Sequence, residues 1–136
     1  MLNLKIELKT MKDFKKYFLI SAQPDDIYNA LTNKLMLEVW TGEAAEMTEE
    51  PGTEFSLWDG SITGRNLEFE KNKKIVQQWY FEGQEEPSVV TIKLHPHEKG
   101  TSVELRHINI PDEAFENIAE GWITDYFDSL RALFEE

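Results

Sequence analysis

Residues 74–108, KIVQQWYFEGQEEPSVVTIKLHPHEKGTSVELRHI, carry the pattern that decides the fold of this chain. Within them, three short segments alternate apolar with polar residues, and turn-forming glycine and proline residues lie between the segments. Alternation with a period of two is typical of strands that bury one face, and connections this short join antiparallel neighbours. We therefore predict three consecutive antiparallel strands, at Lys74–Phe81, Ser88–His95 and Thr101–Ile108.

The strand pattern continues upstream of this stretch. Phe55–Trp58 and Ile62–Glu70 are rich in apolar residues and flank Asp59-Gly60, a dipeptide that favours a hairpin turn. The region from Ala44 to Ile110 is therefore expected to form five or six antiparallel strands of one curved, continuous sheet. Tyr17–Ile20 predicts a further strand near the start of the chain.

Two short helices are expected after this first strand. Pro24 suits a first helical turn, and apolar residues recur at helical spacing from Ile27 to Val39. The pattern stops at Gly42, which is a common helix terminator. We predict two helices joined near Thr32-Asn33.

The longest helix is expected at the C-terminus. After Pro111, Asp112 is predicted to act as the helix N-cap. The apolar face of this helix is predicted to contain Phe115, Ile118, Ala119, Trp122, Ile123, Tyr126, Leu130, Leu133 and Phe134. The order of elements predicts an α+β fold, in which a curved antiparallel sheet wraps around the long C-terminal helix.

The composition is that of one acidic domain. The chain has 136 residues, of which 40% are hydrophobic and 12% aromatic, so we assign residues 1–136 to a single domain with 1–13 as an N-terminal extension. It has 14 Lys and Arg against 26 Asp and Glu, and the formal net charge of −12 disfavours binding to nucleic acid. Without cysteine the chain can form neither a disulfide nor a thiolate metal site, which fits a cytoplasmic protein.

The start of the chain predicts an added strand. The even positions from Leu2 to Leu8 are apolar, so we expect the segment to pair with a sheet edge, either within a monomer or across a homodimer. The same alternation lacks the continuous apolar core of a secretion signal. No stretch of the sequence reaches the roughly 20 apolar residues of a membrane span, so none is expected.

Four motifs in series resemble a known family. In chain order they are Trp40-Thr-Gly42, Phe55-Ser-Leu-Trp-Asp-Gly-Ser-Ile-Thr-Gly64, Asn72-Lys-Lys-Ile-Val76 leading to Trp79-Tyr-Phe81, and Glu120-Gly-Trp122. With these motifs, the chain from about Phe14 to Phe134 resembles the C-terminal domain of the activator of heat-shock protein 90 ATPase. The resemblance implies the helix-grip architecture of the START-like and Bet v 1-like superfamily, whose sheet wraps the C-terminal helix and often leaves a ligand cavity.

The resemblance also implies candidate functions. It implies a chaperone as a partner, but only about 13 residues precede the resemblance, so the separate N-terminal domain of the eukaryotic co-chaperone is expected to be missing and binding to be weak. The same fold hosts lipid carriers, polyketide cyclases and aromatases, so the fold alone does not decide the chemistry.

Alternation along the strands predicts which side chains face the helix. This inner wall could bind a small hydrophobic ligand or could simply fill the core. The candidate ligand-binding residues are Trp40, Leu57, Gln77, Trp79, Phe81, Val90, Ile92, Leu105, His107, Trp122 and Tyr126.

His107 is the polar residue of most interest on this wall. Near the mouth of the expected cavity it could hydrogen-bond a ligand or act as an acid or base, and the alternative is a satisfied core histidine. Because spacing identifies no second catalytic group, we assign no catalytic residue. His95-Pro-His97 would make only a weak chelate and is interpreted as a hairpin turn, so we expect no metal and no cofactor.

Charge is distributed unevenly along the chain. Residues 1–23 have five lysines against two acids, a net charge of +3, whereas residues 112–136 have eight acids against Arg131, a net charge of −7. The acidic helix could dock on a basic partner or could only keep the domain soluble. Three functional hypotheses follow: a small-ligand carrier or sensor, a chaperone regulator and, least favoured, a cyclase-like enzyme that uses His107.

Overall fold

The computed structural model describes residues 10–135, so the strand expected at Leu2–Leu8 lies outside the described residues. The strands are β1 (Met11–Ile20), β2 (Glu54–Leu57), β3 (Ile62–Glu70), β4 (Lys74–Trp79), β5 (Ser88–His97) and β6 (Gly100–Pro111). Two short helices follow β1, namely α1 (Pro24–Thr32) and α2 (Lys34–Thr41). The C-terminal helix has four successive segments: a 3-10 turn (Asp112–Ala114), α3 (Phe115–Gly121), a π-helical segment (Trp122–Phe127) and α4 (Asp128–Leu133).

The six strands form one antiparallel sheet in the order β1-β6-β5-β4-β3-β2. From β2 to β6 each strand pairs with the next along the chain, which is the predicted meander, and β1 pairs with β6. The C-terminal helix packs on the inner face of the sheet, where the ring of Phe127 stacks on Phe18 with centroids 3.9 Å apart. This arrangement confirms the predicted α+β helix-grip fold. Within residues 10–135, no helix combines the length and apolar character needed to cross a membrane.

Local signals place α1 and α2 as the sequence predicts. Pro24 opens α1, where the N–H that proline lacks would have no helical partner. Asn33 ends α1 and begins α2, and its side-chain oxygen accepts a hydrogen bond from the N–H of Met36 at 3.1 Å. Gly42 ends α2 in the left-handed region, at φ 77°.

The start of the C-terminal helix differs from the prediction. Asp112 is not a side-chain N-cap. Its carboxylate instead accepts a hydrogen bond from the Thr10 hydroxyl at 3.0 Å and lies 3.1 Å from Nζ of Lys12. These contacts join the first turn of the helix to the start of β1, and they lower the pKa of Asp112 through the hydrogen bonds from Lys12 and Thr10.

The apolar face of the C-terminal helix also differs from the prediction. Phe127, which the predicted face omits, is fully buried, whereas Ile123, which that face includes, is 37% exposed. A π-helical turn has i→i+5 in place of i→i+4 hydrogen bonds. It therefore brings Phe127 to the face that holds Trp122, and Ile123 turns outward.

Four strands end at different residues from those that alternation predicts. β2 ends at Leu57 rather than at Trp58, and β6 at Pro111 rather than at Ile108. β1 begins at Met11 rather than at Tyr17, within the predicted extension 1–13. β4 ends at Trp79 rather than at Phe81, because its partner strand begins only at Ser88, opposite Trp79. β5 continues to the end of His95-Pro-His97, so the interpretation of these residues as a turn is wrong. The strands β5 and β6 stay paired up to His97 and Gly100, so the connection between them has only two residues, Glu98-Lys99.

Candidate ligand-binding cleft

A cleft of about 420 Å³ lies where the C-terminal helix crosses one end of the sheet. The helix lines one side of it, with Asn117, Ile118, Gly121, Trp122, Asp125 and Tyr126. The other side consists of Glu43, Trp58, Ser61, Ile62 and Trp79, which belong to β3, β4 and the connections that flank β2. The volume is within the usual range of small-molecule sites, about 300–1,000 Å³.

Aromatic rings form the floor and walls of this cleft. The Trp79 and Trp122 rings stack with centroids 4.6 Å apart, and Tyr126 lies 4.5 Å from Trp122. Trp58 closes the opposite side, 5.9 Å from Tyr126. Trp40 supports both from behind, at 5.8 Å from Trp58 and 5.1 Å from Tyr126. A ligand in the cleft would therefore touch flat, apolar surfaces from several directions.

The backbone of the turn after β2 presents Trp58 to the cleft. Trp58 and Asp59 both have positive φ values, 49° and 52°, in a region that bulky residues seldom adopt. The Asp59 N–H donates to the Ala44 carbonyl at 2.9 Å, and the Ser61 N–H donates to the Trp58 carbonyl at 3.1 Å. These hydrogen bonds stabilise the turn, and the turn places the half-buried indole of Trp58 at the cleft.

A buried chain of hydrogen bonds fixes the orientation of Trp79. Its indole N–H donates to the side-chain oxygen of Gln77 at 3.1 Å, and the Gln77 amide donates to Asn66 at 3.2 Å. Asn66 in turn donates to the Thr53 hydroxyl at 3.1 Å. Gln77 therefore supports the wall of the cleft and does not line it.

His107 is a buried, neutral hydrogen-bonding group. The Trp122 indole N–H can only donate, so Nδ1 of His107, 3.0 Å away, is the acceptor. Nε2 must then carry the proton, which it donates to the Ser88 hydroxyl at 2.7 Å, and that hydroxyl donates to the Ile108 carbonyl at 3.0 Å. Burial lowers the pKa of His107 from 6.5 to about 3, so the imidazole is uncharged at neutral pH.

The structure separates the predicted wall into cleft residues and core residues. Trp79, Trp122 and Tyr126 line the cleft. Phe81 packs against His107, with ring centroids 6.1 Å apart, away from the cleft. The other predicted residues are buried in the core and do not reach the cleft: Trp40, Leu57, Gln77, Val90, Ile92, Leu105 and His107.

Several cleft residues were not predicted as site residues. The sequence does contain signals for three of them. Trp58 lies inside the Phe55–Gly64 motif, directly before the predicted Asp59-Gly60 turn. Ile118 and Asp125 lie four residues before and three after Trp122, so they share its side of the helix. Glu43 follows the glycine that ends α2, and no periodicity in the sequence would place it beside the helix.

Tyr126, which lines the cleft, has a hydroxyl without a hydrogen-bond partner among residues 10–135. The residue is only 4% exposed. No buried side-chain N or O atom in this part of the chain lacks a partner, so the hydroxyl must keep contact with solvent. Burial raises the pKa of Tyr126, so the hydroxyl stays protonated and can both donate and accept.

A second depression, of about 680 Å³, is wider and more open than the cleft. Its charged lining includes Lys73, Lys74 and Lys93 beside the start of α1. Lys74 is already paired with Glu68 at 2.8 Å. Half of the residues that line this depression are charged, and none of them is a tryptophan, tyrosine or phenylalanine. The aromatic cleft is therefore the better candidate for a ligand site.

Comparison with known proteins identifies the family. Residues 21–135 match the family model described as Activator of Hsp90 ATPase homolog 1-like protein. The activator of 90 kDa heat shock protein ATPase homolog of Dictyostelium discoideum is 34% identical over 129 residues, which are 93% of this chain and 33% of that protein. The chain spans about a third of the length of the curated activators that it matches.

Solved structures have the same fold. An HSP90 activator from Plasmodium falciparum is 28% identical, with a TM-score of 0.81 over 91% of this chain and 96% of that one. The Aha1 dimer from Colwellia psychrerythraea, at 21% identity, has a TM-score of 0.81 over 92% of this chain and 97% of that one, a likeness of fold alone. With the family model matched over residues 21–135, the chain belongs to the Activator of Hsp90 ATPase homolog 1-like family.

Proposed function

We propose that this domain binds a small ligand with a flat, apolar body in the cleft between the Trp58 turn and the C-terminal helix, and that it does not catalyse a reaction on it. The observation that carries the proposal is the cleft of about 420 Å³ with an aromatic lining. Support for a role without catalysis comes from His107, which burial keeps neutral and which is hydrogen-bonded inside the core, away from the cleft. A cytoplasmic location fits this function.

A titration with N-phenyl-1-naphthylamine, a neutral and flat dye, tests the proposal. We expect the dye to become fluorescent on binding and to quench tryptophan emission. Gly121→Met should weaken binding, because the methionine side chain would occupy the cleft that the dye needs. The protein has room for it: a Cβ at position 121 would have Oδ2 of Asp125 as its one near neighbour, 3.8 Å away. Lys93→Met, in the second depression, is the matched control and should leave the affinity unchanged.

Two results would contradict the proposal. One is the absence of any dye binding by a protein shown to be folded. The other is equal weakening of binding by Gly121→Met and by the Lys93→Met control, which would place the dye outside the cleft.

Regulation of a chaperone ATPase is the second candidate function. It is favoured by family membership and by the relatives from Dictyostelium and Plasmodium, whose names describe activators of HSP90. In this chain the C-terminal helix offers an acidic outer face, where Glu116, Glu120 and Asp128 are exposed. Such a face would attract a basic partner surface. The two functions use different surfaces and are therefore compatible.

A further inference from the structure

We infer that the ligand of the cleft is an organic cation, a flat or branched apolar body that carries one ammonium group. The inference rests on the proposed function, since it specifies the chemistry of a ligand in the same cleft. Three independent features of the described residues lead to it: the charge of the lining, the arrangement of the rings, and the unpartnered hydroxyl of Tyr126.

The lining of the cleft is acidic. Glu43 and Asp125 contribute two carboxylates, and no lysine or arginine of the described chain lines the cleft. Within residues 10–135 neither carboxylate forms an ion pair, although five ion pairs with lysine or arginine are present in the same part of the chain. Two unpaired carboxylates beside an apolar surface favour a positively charged ligand and disfavour a fatty acid or any other anion.

The aromatic lining of the cleft offers one half-buried indole, that of Trp58, to a cation. Its ring packs beside Tyr126, with centroids 5.9 Å apart, and Tyr126 packs on Trp122 at 4.5 Å. An ammonium group within about 6 Å of an aromatic centroid is attracted by the ring quadrupole, and tryptophan gives the strongest attraction. Where the described lysines lie over aromatic rings, those rings belong to Tyr17, Phe18 and Phe115, so residues 10–135 supply no cation to the rings of the cleft.

Two residues of the cleft lining, Tyr126 and Trp58, have further features that bear on the ligand. The Tyr126 hydroxyl opens to the cleft without a partner in residues 10–135, and it can accept a hydrogen bond from an ammonium N–H or donate one to a ligand oxygen. Trp58 has a φ of 49°, a strained conformation for a bulky residue. Backbone strain of this kind concentrates at ligand sites, and here the strained turn presents a half-buried indole to the cleft.

Three benzene derivatives that differ in charge test the inference. Phenyltrimethylammonium and tert-butylbenzene have the same shape, and benzenesulfonate is the anionic comparison. Each is titrated into the full chain while tryptophan fluorescence and the indole N–H signals in NMR spectra are recorded. We expect the cation to bind about tenfold more tightly than its neutral isostere, to shift the signals of Trp58 and Trp122, and to outcompete the sulfonate entirely.

Charge-removing variants locate the effect. Glu43→Gln and Asp125→Asn should each weaken binding of the cation about three- to tenfold and leave binding of tert-butylbenzene unchanged. Glu116→Gln is the control: it removes one charge from the same helix, at an exposed position outside the cleft, and should change neither affinity. Trp58→Phe, which keeps a ring, should retain more affinity for the cation than Trp58→Leu.

The outcomes distinguish this inference from the proposed function. If tert-butylbenzene binds as tightly as the cation, the inference of a cationic ligand is overturned and an apolar ligand is retained. If neither probe nor N-phenyl-1-naphthylamine binds, both are overturned. If the cation binds but Glu116→Gln weakens it as much as Asp125→Asn does, the affinity comes from the overall charge of the domain, and the inference is likewise overturned.

Discussion

His107 illustrates how far a single residue can be understood from its position in a strand. Alternation along β6 correctly predicts that the imidazole faces the helix, because side chains in a strand point to opposite faces in turn. Its partners are not predictable in this way. Ser88 lies at the start of the neighbouring strand and Trp122 on the C-terminal helix, so the hydrogen bonds that saturate both ring nitrogens exist only after the sheet and the helix have come together.

The buried state of His107 gives a prediction about pH. The unfolded chain binds a proton at this residue below about pH 6.5, whereas the folded chain does so only near its pKa of about 3. Unfolding therefore takes up a proton in this window, and the stability that a neutral His107 provides is complete above pH 6.5 and is lost as the pH falls towards 3. We expect the contribution of His107 to the free energy of unfolding to decrease by about 2 kcal/mol between pH 7 and pH 5.

Urea unfolding of the wild type and of His107→Gln at pH 7 and pH 5 measures this contribution. Glutamine keeps an acceptor for Trp122 and a donor for Ser88 but does not titrate. The groups that face the imidazole in the described chain are Ser88, Trp79, Phe81 and Trp122, none of which is charged, so no neighbour should mask the effect. Equal pH dependence in the two proteins would show that His107 titrates normally in the folded state.

At the scale of elements, the C-terminal helix shows where periodicity fails. Apolar residues at helical spacing predict the helix and place Trp122 and Tyr126 inward, which the structure confirms. The π-helical segment then adds one residue to the turn, and the inward face moves from Ile123 to Phe127. A pattern with a fixed 3.6-residue period does not predict this change, because the stacking of Phe127 on Phe18 depends on a strand more than a hundred residues earlier.

Substitution by alanine at two glycines in different elements is predicted to change the free energy of unfolding in opposite directions. Gly121, at the end of α3, has an ordinary helical conformation, and a methyl group there would meet only Asp125 at 3.8 Å. Gly121→Ala should therefore raise the free energy of unfolding by about 0.5–1 kcal/mol, the usual preference of a helix for alanine.

Gly64 in β3 provides the contrasting case. A methyl group at this position would collide with the backbone carbonyl of Gln78 and would lie 2.7 Å from the ring of Phe55. Gly64→Ala should lower the free energy of unfolding by about 1–3 kcal/mol, because the paired strand cannot move aside as a flexible side chain would. Thermal and urea unfolding of both variants measure the difference, and a loss of stability in Gly121→Ala would show that the helix there is already strained.

At the scale of the whole molecule, the motifs determine the family and the fold but not the position of the cleft. The interior was expected to hold the cavity between the sheet and the helix, with Val90, Ile92 and Leu105 in its wall. In the structure these side chains are fully buried and fill the space below the helix. The open volume lies at one end, between the Trp58 turn and the helix. Whether a space is filled depends on the summed side-chain volumes in three dimensions, and alternation in one strand does not contain that information.

The distribution of charge over the whole molecule gives the last prediction. The outer face of the C-terminal helix is acidic. A partner that docks on one helix face forms a small interface, and interfaces below about 1,200 Å² are typical of transient contacts. We expect the domain to stimulate the ATPase of a heat-shock protein 90 only modestly. Stimulation should decrease with salt, because the screening length falls from about 10 Å at 0.1 M to about 3 Å at 1 M. Reversing Glu116, Glu120 and Asp128 to lysine should reduce it further.

An ATPase assay with the purified pair measures these effects, and reversal of Glu50, Glu54 and Glu98 to lysine is the matched control. These three acids are equally exposed but lie on β2 and on connecting turns, away from the helix sequence. The control changes the net charge by the same amount, so it separates the location of the charge from its total. Equal loss of stimulation in both triple variants would show a general charge effect without a docking face. Strong stimulation that neither salt nor the helix reversals affect would place the interface elsewhere, and no stimulation at low salt would leave the aromatic cleft as the functional surface of the domain.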